Sequence, residues 1–251
     1  MTLIVALACT NGIVMGADSA STDPLSQTKL LVSKIQRLRK YPVLFGGAGD
    51  FGLIQKLTED LNDLKLSPSA QFRATRREIR KACLPALQEA SNTHIRVYVP
   101  GCDTDPPTAT LLFGGIHRNK PFLLEIEANG RDTLYDDNFG NFRAIGRGTS
   151  LAQAVMWTHL NTKRDLQLGK ILAYRVLEDS IALSSTGLAK PIHLYAITLD
   201  GSLNKLDDEE LVNLKVTCET WRDLERETLG SLLAPSNSGN SEILPLPNQH
   251  P

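Results

Sequence analysis

Thr2, the residue that follows the first methionine, is a candidate nucleophile. Methionine is normally trimmed before a residue as small as threonine, so Thr2 is expected to begin the mature chain. It would then carry a free α-amine beside its hydroxyl, and an amine with a pKa of about 8 can accept the hydroxyl proton directly or through water. Many cytosolic proteins begin Met-Thr, so this chemistry depends on the residues that surround Thr2.

Two charged residues are predicted to lie near this threonine. Asn11-Gly12 is a strong turn signal between two strand-like runs and predicts an N-terminal β-hairpin that returns Asp18 alongside the start of the chain. Lys34 lies in another short strand with an apolar face. A lysine beside Asp18 would stay charged, and its charge would favour the alkoxide of Thr2. The alternative is an ordinary structural ion pair.

Gly46 and Gly47 are candidate oxyanion-binding residues. They belong to a glycine-rich segment, 46–49, between a predicted strand at 41–45 and a predicted helix at 50–64. The spacing predicts a tight turn in which backbone N–H groups converge on an oxyanion. A turn that only allows close packing is the alternative.

The elements that must position these residues predict an α+β fold with layered sheets. Strands and helices cluster along the chain instead of alternating, which disfavours a doubly wound parallel sheet. Pro85 is expected to kink or split a long helix that begins at Ser67-Pro68. The remaining predicted strands are residues 95–99, 109–114, 122–126, 142–145, 191–198 and 202–206, and the remaining predicted helices are 150–160 and 165–183.

Composition disfavours several classes of partner. The chain has 251 residues and a formal net charge of −1, so it lacks the basic excess of a nucleic-acid binder. No apolar run approaches the length of a membrane span, and a cytoplasmic protein is expected. We expect one domain over residues 2–227, followed by a Pro/Ser/Asn-rich tail at 228–251 that is predicted to be disordered.

The cysteines and histidines do not predict a metal or cofactor site. The four cysteines are far apart, without a CxxC pair, and the five histidines are equally scattered. Cys9 is expected to pack as a small buried residue of a strand. No metal and no cofactor is therefore expected.

Five segments together resemble the proteasome β-subunit family of N-terminal-threonine peptidases, and most of all its stand-alone bacterial members such as HslV. The resemblance extends over about residues 2–200. The segments are TLIVALACTNGIVMGADSAST at 2–22, SKI at 33–35, FGGAGD at 45–50, LLFGGIHRNKPFLLEIEANG at 111–130 and AIGRG at 144–148.

The resemblance implies a fold and a set of site residues. The fold would be a four-layer α-β-β-α sandwich, in which two stacked antiparallel sheets lie between pairs of helices. Thr2 would be the nucleophile, Asp18 the acid that orients Lys34, and Gly46 the oxyanion-hole glycine. The residues inferred by position to bind substrate are small or neutral, which is typical of a site for an uncharged side chain before the cut bond; they are Ser21, Thr22, Val32, Gln36, Leu44 and Ala48.

Two positions depart from the family pattern. Arg147 stands where the family has a serine that bonds the terminal amine; it would depress the pKa of the amine, block the site or enter a subunit contact, and Thr149 or Ser150 would supply the missing hydroxyl. Leu183 stands where many members have an aspartate. HslV-type members also lack that aspartate and keep a threonine where Thr186 stands.

The function implied is that of a threonine endopeptidase. Copies of the chain would form a ring and cleave unfolded polypeptides inside it, with an ATP-dependent unfoldase as a partner that feeds the ring. The alternatives are a structural ring subunit with degenerate catalysis and a small-molecule amidase of the same N-terminal-nucleophile class.

Overall fold

The computed structural model describes residues 2–22, 29–66, 71–97, 107–135, 141–159, 163–184 and 187–233. These residues form two five-stranded antiparallel sheets, one two-stranded sheet and five α-helices. The strands are β1 Leu3–Cys9, β2 Gly12–Ala17, β3 Ala20–Thr22, β4 Lys29–Leu31, β5 Ile35–Arg37, β6 Val43–Gly49, β7 Ala109–His117, β8 Lys120–Ile126, β9 Asp132–Tyr135, β10 Phe142–Gly146, β11 His193–Thr198 and β12 Leu203–Lys205. The helices are α1 Phe51–Asn62, α2 Phe72–Val97, α3 Thr149–Met156, α4 Leu166–Leu183 and α5 Asp208–Leu233, and a 3₁₀ turn spans Trp157–His159.

The first sheet places the start of the chain at the end of a central strand. Its order is β10-β1-β2-β11-β12. The predicted N-terminal hairpin is present, with Cys9 opposite Gly12 beside the turn and Ile4 opposite Ala17 at the far end. On its other side β1 pairs with β10, where Leu3 lies opposite Gly146. Thr2 therefore emerges between the end of β2 and the end of β10.

The second sheet packs on the first through alternating apolar side chains. Its order is β5-β6-β7-β8-β9. Because successive residues of a strand face opposite sides of a sheet, each strand supplies one set of side chains to the layer between the sheets and another to the helices outside. The layer between the sheets includes Ile4, Met15, Leu44, Leu112 and Leu123, all of which are buried.

Helices cover the outer faces of both sheets. Leu57 of α1 and Ile79 of α2 pack on Phe113 of the second sheet in one apolar cluster. Ala152 of α3 and Leu177 of α4 pack on the first sheet in another. The predicted α+β class and the four-layer α-β-β-α sandwich are confirmed.

Helix α2 is longer than predicted. The predicted strand at 95–99 is wrong for residues 95–97, which are helical, and its last two residues lie outside the described ranges. Pro85 does not divide the helix into two elements. Cys83 and Leu87 on either side of Pro85 are both buried in the same cluster, so the apolar face that packs α2 on the sheet continues past the proline.

Helix α5 was not predicted, and it spans the position at which we expected the domain to end. It extends to Leu233, so residues 228–233 are helical and the boundary expected at 227 falls inside it; residues 234–251 lie outside the described ranges. Leu214 and Cys218 bury one face of this helix. The Arg175 guanidinium on α4 lies 4.0 Å from the Trp221 ring and 2.6 Å from Glu225, which holds α5 on α4.

No helix in the described part of the chain is both long and apolar enough to cross a bilayer.

Candidate active site

The backbone N–H of Leu3, the residue after Thr2, forms a hydrogen bond with the carboxylate of Asp18. Thr2 is half-buried and Leu3 is fully buried. The Leu3 N–H donates to Asp18 Oδ1 at 2.8 Å, and the Leu3 carbonyl accepts from the Asp18 N–H at 3.2 Å. The prediction that the hairpin returns Asp18 alongside the chain start is confirmed.

Asp18 is a fully buried carboxylate that accepts several hydrogen bonds. Its Oδ1 also accepts from Lys34 Nζ at 2.7 Å, and its Oδ2 accepts from the N–H groups of Ala20 at 3.0 Å and Ala189 at 3.4 Å. These donors come from three separate segments of the chain. They satisfy the buried charge and fix the orientation of the carboxylate.

Lys34 is a buried cation that Asp18 holds beside the start of the chain. Its side chain is only 6% exposed. Burial lowers the pKa of Lys34, and the opposite charge and hydrogen bond of Asp18 offset part of that effect. Little water screens an ammonium group in this position, so its charge would act strongly on a nearby hydroxyl that loses its proton.

Gly46 and Gly47 lie in a strand, and the tight turn predicted for 46–49 is wrong. β6 continues to Gly49, which pairs with Ala109 of β7, because this whole segment has a partner strand. The turn into α1 comes one residue later. There Asp50 caps the helix, and its Oδ1 accepts from the Leu53 N–H at 2.8 Å.

Hydrogen bonds at the two ends of β6 fix the direction of its amide groups. The Pro42 carbonyl accepts from the Ile116 N–H at 3.0 Å, and the Asp50 N–H donates to the Thr108 carbonyl at 2.7 Å. Backbone groups of a strand point alternately to its two neighbours, and the β6–β7 register is unbroken. The even-numbered residues, Gly46 among them, therefore direct their N–H groups at β7.

The N–H of Gly47 points the other way, towards the edge at which β5 begins. Ile35, the first residue of β5, lies opposite Gly46, so Gly47 lies level with Lys34. A Cβ on Gly47 would lie 3.0 Å from the Ile54 side chain of α1. Of the two glycines, Gly47 is thus the one whose amide group faces the side of the sheet that carries the buried lysine.

A constrained turn, Gly146-Arg147-Gly148, closes over the start of the chain. Gly146 has a φ of +95°, and a Cβ there would lie 2.2 Å from the Thr2 carbonyl oxygen. A Cβ on Gly148 would lie 2.9 Å from the Cβ of Leu3. The Thr149 hydroxyl donates to the Gly146 carbonyl at 2.6 Å, so its proton is used within the turn. Arg147 and Ser150 are exposed.

We expect Gly146→Ala to destabilise the protein by at least about 2 kcal/mol in urea unfolding, because alanine is strained at positive φ and its Cβ would collide with the Thr2 carbonyl. Gly230→Ala is the matched control, since a Cβ at that helical position has no neighbour within 4 Å. Alanine there should raise stability by about 0.5–1 kcal/mol. Equal effects of the two substitutions would contradict the close approach of Gly146 to Thr2.

Four of the residues inferred to bind substrate have side chains that the structure describes, and these four differ in burial. Leu44 and Ala48 are 1% and 7% exposed and belong to the core between the sheets. Val32 is half-buried and Gln36 is exposed. Ser21 and Thr22 lie in β3, opposite Leu30 and Lys29 of β4, and their side chains lie outside the described ranges. Leu183 is 66% exposed at the end of α4, and Thr186 lies outside the described residues.

Three residues around Asp18 were missed by the sequence analysis. The N–H of Ala189 reaches Asp18 Oδ2, the N–H of Ser19 donates to the Ala189 carbonyl at 3.0 Å, and the Ser19 hydroxyl donates to the Pro191 carbonyl. They join the end of β2 to a loop about 170 residues later, and no local pattern signals so distant a contact.

Cysteine and metal chemistry have little support in the described residues. Burial raises the pKa of Cys9 and of Cys83 to about 12, so neither thiol forms a thiolate at neutral pH. Within the described ranges, no three His, Cys, Asp or Glu side chains are grouped so that they could hold a metal ion.

The chain is similar to known proteins both in its sequence and in its fold. The chain is similar over 98% of its length to all of Anbu (ancestral beta-subunit) from Yersinia bercovieri, with 13% identity and a TM-score of 0.70. It is similar over 92% of its length to 97% of the Anbu (Gly-1) mutant from Hyphomicrobium sp. strain MC1, with 19% identity and a TM-score of 0.67.

A search of curated proteins found no match. The family model described as "Proteasome: Proteasome subunit" matches residues 2–197, which include the second sheet, strands β1, β2 and β10 of the first, helices α1 to α4 and every residue that donates a hydrogen bond to Asp18. The chain belongs to the proteasome subunit family.

Proposed function

We propose that this chain is a threonine-type endopeptidase subunit of a proteasome-like ring in the cytoplasm and that Thr2 is its nucleophile. The observation that carries the proposal is the buried Lys34–Asp18 pair, 2.7 Å long, whose carboxylate also binds the N–H of the residue after Thr2. This arrangement supports a role for Lys34 as a poorly solvated cation that acts on the Thr2 hydroxyl, because one oxygen of Asp18 binds both Lys34 and the backbone next to Thr2. The proposal requires that Met1 is removed, because the base is the α-amine of Thr2.

The reaction would proceed in two steps. The Thr2 hydroxyl passes its proton to the α-amine and attacks the peptide carbonyl, while the charge of Lys34 stabilises the alkoxide. The amide of Gly47, which faces the Lys34 side of β6, is the better candidate to hold the oxyanion than that of Gly46. Collapse of the tetrahedral intermediate expels the amine, which takes this proton back from the α-ammonium group, and leaves an ester on Thr2. Water activated by the α-amine then hydrolyses the ester.

Membership of the proteasome subunit family supports ring assembly from copies of this chain and unfolded polypeptide as the substrate. An ATP-dependent unfoldase is the partner that such a ring would need for folded substrates. Arg147 favours a second candidate, a structural ring subunit, because it replaces the family serine beside Thr2. We place the endopeptidase first because the Asp18–Lys34 pair is fully assembled.

Cleavage of an unfolded protein by the purified full chain tests the proposal. The chain that lacks Met1 should degrade a reduced and alkylated protein into peptides, and Thr2→Ala should abolish this because no hydroxyl remains to attack. Light scattering on the same samples reports the ring. A ring without cleavage would favour the structural subunit, and hydrolysis of a small acyl amide without cleavage of the protein would favour an amidase.

A further inference from the structure

We propose that Arg147 binds a carboxylate of the substrate, so that the site selects peptides with an acidic group. The inference rests on the proposed function and adds a substrate class to it. Arg147 is exposed at the centre of the turn that closes over Thr2. Its neighbour Gly146 approaches the Thr2 carbonyl so closely that only glycine is accommodated there.

The backbone on both sides of Arg147 is fixed. Gly148 packs against Leu3 on one side and Leu188 on the other, and a Cβ there would lie 2.9 Å and 3.1 Å from their side-chain atoms. The Thr149 hydroxyl closes the turn on the Gly146 carbonyl. The position from which the arginine side chain extends is therefore held next to the nucleophile.

Arg147 is the cation of this region that lacks a carboxylate within the described part of the chain. Lys34 is paired with Asp18, and Lys190 in the neighbouring loop is paired with Glu178 at 3.0 Å. Asp50, which follows the end of β6, accepts instead from the Leu53 N–H at the start of α1. No ion pair or hydrogen bond joins Arg147 to any described residue.

A guanidinium group is suited to this task because it offers parallel N–H donors that match the two oxygens of a carboxylate. The carboxylate could come from an acidic side chain of the peptide or from a free carboxy terminus, and both present the same group. This assignment also replaces the expectation, based on small neutral pocket residues, of a site without charge preference.

Binding of matched peptides to the full chain with Thr2→Ala tests the inference without any need for turnover. One pair of blocked peptides differs only by Glu or Gln, and a second pair differs only by a free or an amidated carboxy terminus. We expect the acidic member of one pair to bind about tenfold more tightly, with the preference falling as salt is added. The pair that shows the preference identifies the source of the carboxylate.

Substitutions at Arg147 assign the preference to this residue. Arg147→Ser should reduce the ratio of the affinities for the acidic and the neutral peptide to within about twofold of unity, and Arg147→Lys should retain part of the preference. Arg39→Ser removes an exposed arginine that precedes β6, and it should leave this affinity ratio unchanged. Equal binding of both pairs, or a preference that survives Arg147→Ser, would overturn the inference. Loss of peptide cleavage would concern only the proposed function, because this readout measures binding.

Discussion

Replacing Lys34 with methionine should reduce the rate at which Thr2 reacts with a peptide epoxyketone by on the order of 10³-fold or more. Methionine has similar length but no charge, so nothing would stabilise the alkoxide of Thr2 in this buried site. The measurement is the rate of adduct formation by intact mass. The prediction rests on the burial of Lys34, whose side chain is 6% exposed, since a solvated lysine would have a much smaller effect.

Two control variants separate charge from other effects of this substitution. Lys34→Arg keeps a cation and should retain part of the reactivity. Lys56→Met removes an exposed lysine that pairs with Glu89 on the surface, and it should change the rate by less than about twofold. A Lys34→Met variant that reacts within about tenfold of the natural chain would contradict the role of Lys34 as the activating cation.

Replacing Asp18 with asparagine should have the largest effect on stability. The substitution leaves Lys34 buried without its counter-ion, and breaking a buried pair from one side costs about 3–5 kcal/mol. It also weakens the bond to the Leu3 N–H that fixes the start of the chain. Urea unfolding measures the free-energy change, and epoxyketone labelling of the folded fraction should fall with it.

A double variant distinguishes the buried pair from a general effect of mutation in the core. Asp18→Asn combined with Lys34→Met removes both charges. The double variant should therefore lose less free energy of unfolding than the two single variants lose together. Asp223→Asn breaks an exposed pair with Arg226 and should cost no more than about 1 kcal/mol. Additive losses in the double variant would show that Asp18 and Lys34 do not act as a pair.

The layered α+β class followed from patterns that are local in the sequence. Strand-like runs around Asn11-Gly12 predicted the first hairpin, and the clustering of strands and helices predicted stacked sheets. Helix α5 was not predicted, and the ion pair of Arg175 with Glu225 that helps to hold it on α4 joins two segments that lie 50 residues apart. Residues 95–97 were assigned to a strand because a short apolar run fits either structure when read alone.

The sequence predicted the position of some residues of the candidate site better than that of others. Asp18 was placed correctly because a two-residue hairpin fixes where its second strand ends. The resemblance assigned the oxyanion to Gly46, whereas the register of β6 favours Gly47, since a one-residue difference along a strand reverses the direction of the amide group. The contact of Ala189 with Asp18 could not be predicted, because it depends on the packing of a loop from the far end of the chain.

The most direct test of the central claim is peptide mapping of the chain after incubation with a peptide epoxyketone. This reagent needs both the hydroxyl and the free amine of an N-terminal threonine. We predict that Met1 is absent and that one adduct forms on Thr2, whereas Thr2→Ala forms none. A chain that keeps Met1, or one that lacks Met1 and forms no adduct, would contradict the assignment of Thr2 as the nucleophile.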